Sequence, residues 1–194
     1  MTLTPNFLTA HRFTAACEGD DSDHPADRGG VTRYGVSLAF LRATADEAPD
    51  VLAALDIATP VSASTVRRLS ADQARLLFLA RFWAPLQLDD MPLHMATVLY
   101  DAAVNHGRGT AVKLAQRGYN RCVRYGAPLA VDSIMGPLTR AALRNNNTAA
   151  VRGAIIDARI SYYHAIVRND ESQSVFLRGW IRRAEDLRRY VEAD

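Results

Sequence analysis

The stretch from Gly19 to Gly35, GDDSDHPADRGGVTRYG, is the strongest constraint on how this 194-residue chain can fold. Glycine, proline, aspartate and serine at this density favour turns and compete with the helix for backbone groups, so no helix passes through it. On either side apolar residues recur at helical spacing and the breaks carry caps. Thr4 and Pro5 open a helix to about Cys17, with Phe7, Leu8, His11 and Ala15 as its apolar stripe. Val31, Thr32, Tyr34 and Val36 alternate with Arg33 and Gly35 as one short strand does. Ser37 starts a helix over roughly 38–47, and residues 48–69 stay ambiguous between breaks at Pro49 and Pro60. Ser70-Ala71-Asp72-Gln73 is a capping box whose helix continues to Trp83, before Pro85. Pro92 opens a strongly apolar helix ending near Asn105-His106-Gly107, and Thr110 caps another to about Tyr125. The turn at 132–137 leads into a short helix over 138–144. Thr148 caps a long helix to about Arg168, and Ser172 or Ser174 begins the last. The expected fold class is mainly α, with a small irregular β loop or hairpin near the N-terminus.

Composition removes several classes. A 48% hydrophobic and 23% charged chain is neither disordered nor fibrous. No uninterrupted apolar run is long enough for a transmembrane helix. Two cysteines, Cys17 and Cys122, without a C-x-x-C pair, give no disulfide framework and no cysteine zinc site. Five scattered histidines without a His-x-x-x-His pair complete the expectation of no metal and no cofactor. The N-terminus lacks a basic segment followed by an apolar one, so no secretory signal is expected. Charge is uneven: residues 1–100 carry net −4 and residues 101–194 net +6, the basic groups all arginine except Lys113. Solvated faces account for that asymmetry, and so does a surface for a polyanion such as DNA, lipopolysaccharide or an acidic wall polymer. No segment has recognition-helix chemistry, so specific nucleic-acid binding is not expected.

The same irregular stretch holds the candidate chemistry. Glu18, Asp20, Asp21, Asp23 and Asp27 place five carboxylates within ten residues. A hydrated acidic turn is one reading. A calcium loop begun at Asp21 fails, because Pro25, Ala26 and Thr32 fall where the EF-hand pattern needs a ligand, a glycine and a glutamate. A carboxylate pair for acid/base work is the third. Glu18 closes the first helix, where the negative end of the dipole and the apolar neighbours Ala16 and Cys17 favour its protonated form. Asp27 sits in a polar turn beside Arg28, which favours its ionised form. Two carboxyls pushed apart in this way are the equipment of glycoside hydrolysis. Gly29 and Gly30 let the backbone turn sharply or approach a sugar closely.

Residues 18–37, EGDDSDHPADRGGVTRYGVS, resemble the signature of glycoside hydrolase family 108, N-acetylmuramidases found as phage endolysins and in bacterial lysis or secretion loci. That pattern runs Glu-Gly-Gly-aromatic, polar residues, then Pro-x-Asp-x-Gly-Gly-x-Thr-x-Tyr-Gly-Ile-Thr. The resemblance implies that Glu18 is the proton donor, and a similarity in spacing to phage-type lysozymes adds Asp27 and Thr32 to the catalytic set. Phe82-Trp83-Ala84-Pro85, Asp101-Ala102-Ala103-Val104-Asn105-His106-Gly107, and Gly179-Trp180-Ile181-Arg182-Arg183 are similar to further family elements, and Asp132 to Thr139 resembles a turn of peptidoglycan-binding modules. One departure stands out: Asp20 and Asp21 replace the family's second glycine and aromatic. A more hydrated Glu18 is a weaker donor, which keeps a second reading open, a non-catalytic peptidoglycan-binding protein on the same scaffold.

The expectation is therefore a peptidoglycan hydrolase of lysozyme-like fold that cleaves the β-1,4 bond between N-acetylmuramic acid and N-acetylglucosamine. Residues 1–90 form the catalytic part. Residues 91–194 form a helical, peptidoglycan-binding-like part packed as one unit with the first, in a monomer. Tyr34, Gly29, Gly30, Asn105, Asp101 and Trp180 are the substrate-binding candidates. Asn105 reads equally as a helix terminator, and Asp101 also reads as an arginine's structural partner. Trp83 is expected in the core, and Trp180 is left open between core and sugar stacking. The last helix carries Arg178, Arg182, Arg183, Arg188 and Arg189, either as a solvated face or for docking on anionic envelope polymers. The resemblance to endolysins implies a protein held in the host cytoplasm until holin-type release lets it reach the periplasmic wall.

Overall fold

A computed structural model describes residues 2–18, 31–123 and 127–193; at Glu18 it describes the backbone alone. By internal contacts the chain divides into two compact units, Met1–Pro85 and Leu86–Asp194.

The first unit opens with α1 (Pro5–Glu18). Thr4 Oγ1 accepts from the Phe7 amide at 3.3 Å, the expected cap. The face α1 buries is Phe7, Ala10 and Thr14, three and four residues apart. Leu8 is left exposed and Ala15 as well, so the stripe lies one position round from the one the sequence suggests. Residues 31–37 make the small hairpin that was one of the two forms expected near the N-terminus, with two strands in place of the single short one read from the alternation. β1 (Thr32–Arg33) pairs antiparallel with β2 (Val36–Ser37), Thr32 opposite Ser37 and Arg33 opposite Val36. The turn between them is Tyr34-Gly35 with φ of 50° and 76°, the left-handed pair a two-residue hairpin with matching twist requires. Ser37 then caps α2 (Leu38–Glu47) by accepting from the Phe40 amide.

The ambiguous span resolves into two short helices, α3 (Pro49–Ala54) and α4 (Ala63–Arg67), the second closed by a Ser62–Thr65 capping box. The Ser70–Gln73 box opens α5 (Ala71–Phe78) as expected. That helix does not run on as α to Trp83: Leu79–Trp83 widen into a π-helical turn, followed by a 3-10 turn at Ala84–Leu86. Trp83 is fully buried with its ring edge on Phe7, centroids 5.5 Å apart. His11 joins this core, stacked on Phe7 at 5.2 Å and tilted against Phe78 at 5.2 Å. Burial, then the Arg75 charge, pushes its imidazole down to about 4, so it is neutral at physiological pH.

The second unit is built on α6 (Leu93–His106), α7 (Arg108–Cys122), α8 (Pro137–Asn145), α9 (Ala149–Asn169) and α10 (Ser174–Glu192). α6 is apolar nearly all round, and Met95 through Ala103 are buried without a break, as a central helix must be. α7 starts two residues before the expected cap at Thr110. Gly107, at φ 80°, takes the cap position, and the chain swings straight from one helix into the next. α7 and α9 approach so closely that a Cβ on Gly118 would sit 2.5 Å from the Ile155 Cα. The turn before α8 hangs on one buried amide. Gln116 Nε2 donates to Asp132 Oδ1 at 2.8 Å, and its Oε1 accepts from the Asp132 and Ser133 amides at 3.1 and 3.3 Å. Ser133 stands there at φ 71°, in the left-handed region that glycine adopts most easily.

Candidate functional site

Glu18 is the last residue of α1, and its side chain lies outside the described residues, as do Asp27, Gly29 and Gly30. The hairpin that follows them is described. Thr32 is half-buried in β1, and Tyr34 is 44% exposed at the tip. A bulky residue at positive φ is costly by about 1–2 kcal/mol, and here it presents a large apolar ring to solvent. The Arg33 guanidinium lies over that ring, 5.1 Å from its centroid, and also donates to the Arg67 carbonyl. The tip is thereby tied to α4. An aromatic face held outward on a fixed turn is suited to stacking against a sugar ring.

The second unit gathers the other candidates into one polar cluster. Asp101 is fully buried, so it lines no surface. Its carboxylate accepts from Arg159 Nη1 at 2.5 Å and Arg183 Nη2 at 2.7 Å. Burial alone would push this carboxyl up; the two guanidiniums override it and hold it below the usual carboxylate range. Of its two readings, substrate contact and arginine partner, the structure places it in the second. Asn105 lies one turn on, half-buried. Its Oδ1 accepts from Arg159 Nη2 at 3.3 Å and from the Tyr163 hydroxyl at 3.2 Å. It is a member of the helix rather than its terminator.

Tyr163 joins the cluster together. Its oxygen accepts from Arg159 Nε at 2.6 Å and lies 3.2 Å from His106 Nε2. Burial first, then the Arg159 and Arg183 charges, press the His106 imidazole down to about 3, keeping it neutral. On the Tyr163 ring stacks Trp180, centroids 5.3 Å apart, and on Trp180 stacks Phe176 at 5.8 Å. Trp180 is half-buried and Phe176 is 53% exposed, so the aromatic column runs from the cluster to the surface. Trp180 is neither wholly core nor wholly free.

The structure thus brings Thr32 and Tyr34 together in the first unit and Asp101, Asn105 and Trp180 together in the second. Arg159, Tyr163 and His106 were missed from sequence. The one local signal was the i, i+4 spacing of Arg159 and Tyr163 on a capped helix. The arginines of α10 divide in two. Arg183 is committed to Asp101, and Arg188 to Asp157 at 2.6 Å and Glu185 at 2.9 Å, whereas Arg178, Arg182 and Arg189 are exposed, the last paired with Asp186. Among the described residues no group of histidine, cysteine and carboxylate side chains is arranged to hold a metal ion. None of their helices is long and apolar enough to cross a membrane.

Residues 11–107 match the family model for glycosyl hydrolase 108, and residues 110–185 match the model for a predicted peptidoglycan domain. Among solved structures, SagA from Brucella abortus is similar with a TM-score of 0.73 at 26% identity, covering 96% of this chain and 94% of that one. No curated protein matches the chain.

Proposed function

The chain belongs to the glycosyl hydrolase 108 family, and on that premise we propose that it cleaves the β-1,4 bond between N-acetylmuramic acid and N-acetylglucosamine, with Glu18 as the proton donor. That it is a glycoside hydrolase of the lysozyme type follows from the family, and the second match makes peptidoglycan its substrate. The choice of bond and the assignment of roles are the proposal.

The observation that carries the proposal is the match over residues 11–107, which contains Glu18, Asp27, Thr32 and Tyr34. The helix position of Glu18 supports its role. A carboxyl at the C-terminal end of a fourteen-residue helix meets the negative end of the dipole, which favours the protonated form needed to protonate a glycosidic oxygen. Asp27, with Thr32, positions a water or stabilises the oxocarbenium-like transition state. The separation of the two carboxyls then decides between a water on the far face and a covalent sugar intermediate. Tyr34 supplies a stacking face, with Gly29 and Gly30 allowing close approach. Asn105 and Trp180 belong to the substrate-binding surface of the second unit, and Asp101 serves it indirectly by fixing Arg159 and Arg183.

Turbidity of purified peptidoglycan sacculi tests the proposal. The wild-type chain is expected to clear the suspension, and Glu18→Gln, which keeps size and removes the proton, to lose clearing by at least about a hundredfold. Equal clearing by both chains refutes the donor assignment. Binding of sacculi without clearing by the wild type would favour the non-catalytic scaffold that Asp20 and Asp21 suggest.

A further inference from the structure

The second unit holds a cavity lined by none of the candidate site residues. It measures about 560 Å³ and opens between the last turn of α7, the first turns of α9 and the last turn of α10. It is an open depression at the surface, with a volume in the range of small-ligand sites. α9 turns small residues towards it, Ala149, Ala150, Gly153 and Ala154, and apart from Cys122 the side chains around them are charged.

One charged pair is already spent. Arg188 donates to Asp157 at 2.6 Å and to Glu185 at 2.9 Å, and rests on the Gly153 carbonyl at 3.4 Å. A Cβ on Gly153 would meet Arg188 Nη1 at 3.0 Å, so glycine leaves the guanidinium its place. Arg188 and Asp157 are therefore a fixed wall with compensated charge.

Arg121 and Glu192 are different. Both line the same cavity and both are exposed, yet neither makes a hydrogen bond or ion pair with any described residue, including each other. Glu192 is the last residue of α10, where helix carbonyls already make the potential negative and a cation is favoured. Two opposite charges that share a cavity without touching call for a ligand bearing both signs close together.

We propose that this cavity binds a zwitterionic amino-acid head, an ammonium and a carboxylate on one carbon, with the carboxylate on Arg121 and the ammonium on Glu192. The inference rests on peptidoglycan being the substrate. Stem peptides built on diaminopimelic acid carry such a head wherever the side chain of that residue is not cross-linked, whereas the glycan's hydroxyls and acetamides offer neither charge. The second unit then reads the peptide of the wall, and it directs the enzyme to sparsely cross-linked regions.

Calorimetric titration of the full chain with meso-diaminopimelic acid tests this. The wild type is expected to bind, and Arg121→Gln and Glu192→Gln each to weaken binding about tenfold, the worth of one charge-assisted hydrogen bond. Acetylating both amino groups of the ligand should have the same effect. The double exchange Arg121→Glu with Glu192→Arg should recover much of what either single exchange loses, because a zwitterion can turn round. Both positions are exposed, so the two glutamine variants, the two single exchanges and the double exchange should keep the wild-type melting temperature and clear sacculi whose peptides an amidase has removed. No binding by the wild type, or binding unchanged in both glutamine variants, overturns the inference while clearing of stripped sacculi leaves the hydrolase intact. Failure to clear any sacculus would count against the hydrolase instead.

Discussion

At His11 a single side chain sets how the first unit responds to acid. The neutral ring is stacked on Phe7 and tilted against Phe78, and its folded value of about 4 lies below the 6.5 of an exposed histidine. Between those values the unfolded chain binds the proton and the folded one does not, so stability is full above about pH 6.5 and falls as pH drops towards 4. His11→Phe keeps a ring in the stack and removes the titration. Urea unfolding from pH 7.5 to 4.5 should show the wild type losing stability faster than the variant; parallel curves would contradict the assignment. His106 behaves in the same sense with a folded value of about 3, so the difference between the two curves isolates His11. At this scale the sequence was legible where the cause is local. Trp83 reads as core from its apolar surroundings. Asp101 was readable only as a choice, because its partners lie 58 and 82 residues away and nothing in the local pattern points to them. Breaking such a buried pair typically costs about 3–5 kcal/mol, which makes Asp101 a poor position for probing substrate contact.

Among the elements, the caps were the most readable features. Ser37, Ser70 and Thr148 each accept from the backbone amide three residues on, a short-range interaction written in four consecutive residues. The hairpin was half readable: its alternation showed, but strands of two residues are too short to separate from a single run, and an aromatic is an unusual occupant of a left-handed turn position. The π turn after α5 has no sequence signal beyond Pro85, which only says that the helix must end. Helix contact is equally hidden, since nothing in the sequence marks Gly118 as a place where α7 comes close to α9. Gly118→Ala adds a methyl where the Ile155 backbone already stands 2.5 Å away, so the helices must part. Against the usual gain of alanine over glycine in a helix, the overpacking should destabilise by about 1–3 kcal/mol, read as a lower urea midpoint. An unchanged or higher midpoint would mean that α7 and α9 are not this close.

For the molecule as a whole, the boundary by family and the boundary by contact differ. The hydrolase match runs to residue 107, yet α6 within it belongs by contacts to the unit that starts at Leu86. The reason is Asp101 and the apolar surface of α6: the helix supplies the counter-charge for Arg159 and Arg183 and the centre of the second core. Residues 86–194 should therefore fold cooperatively alone, whereas residues 108–194, cut at the family boundary, should not. Circular dichroism melting of the two fragments checks this, and a cooperative melt of the shorter one would contradict it. The charge asymmetry of the sequence was visible but not interpretable. Part of the positive second half is consumed in ion pairs, inside by Asp101 and at the surface by Asp157 and Glu185, and only coordinates separate those arginines from Arg178 and Arg182.

The chemical identity of the sugar end released from purified peptidoglycan is the most direct check on Glu18 and on the bond. Digestion by the wild type, then borohydride reduction and acid hydrolysis, should yield muramitol, and the Glu18→Gln chain should yield none above background. Glucosaminitol in place of muramitol, or muramitol in equal amounts from both chains, would contradict the account.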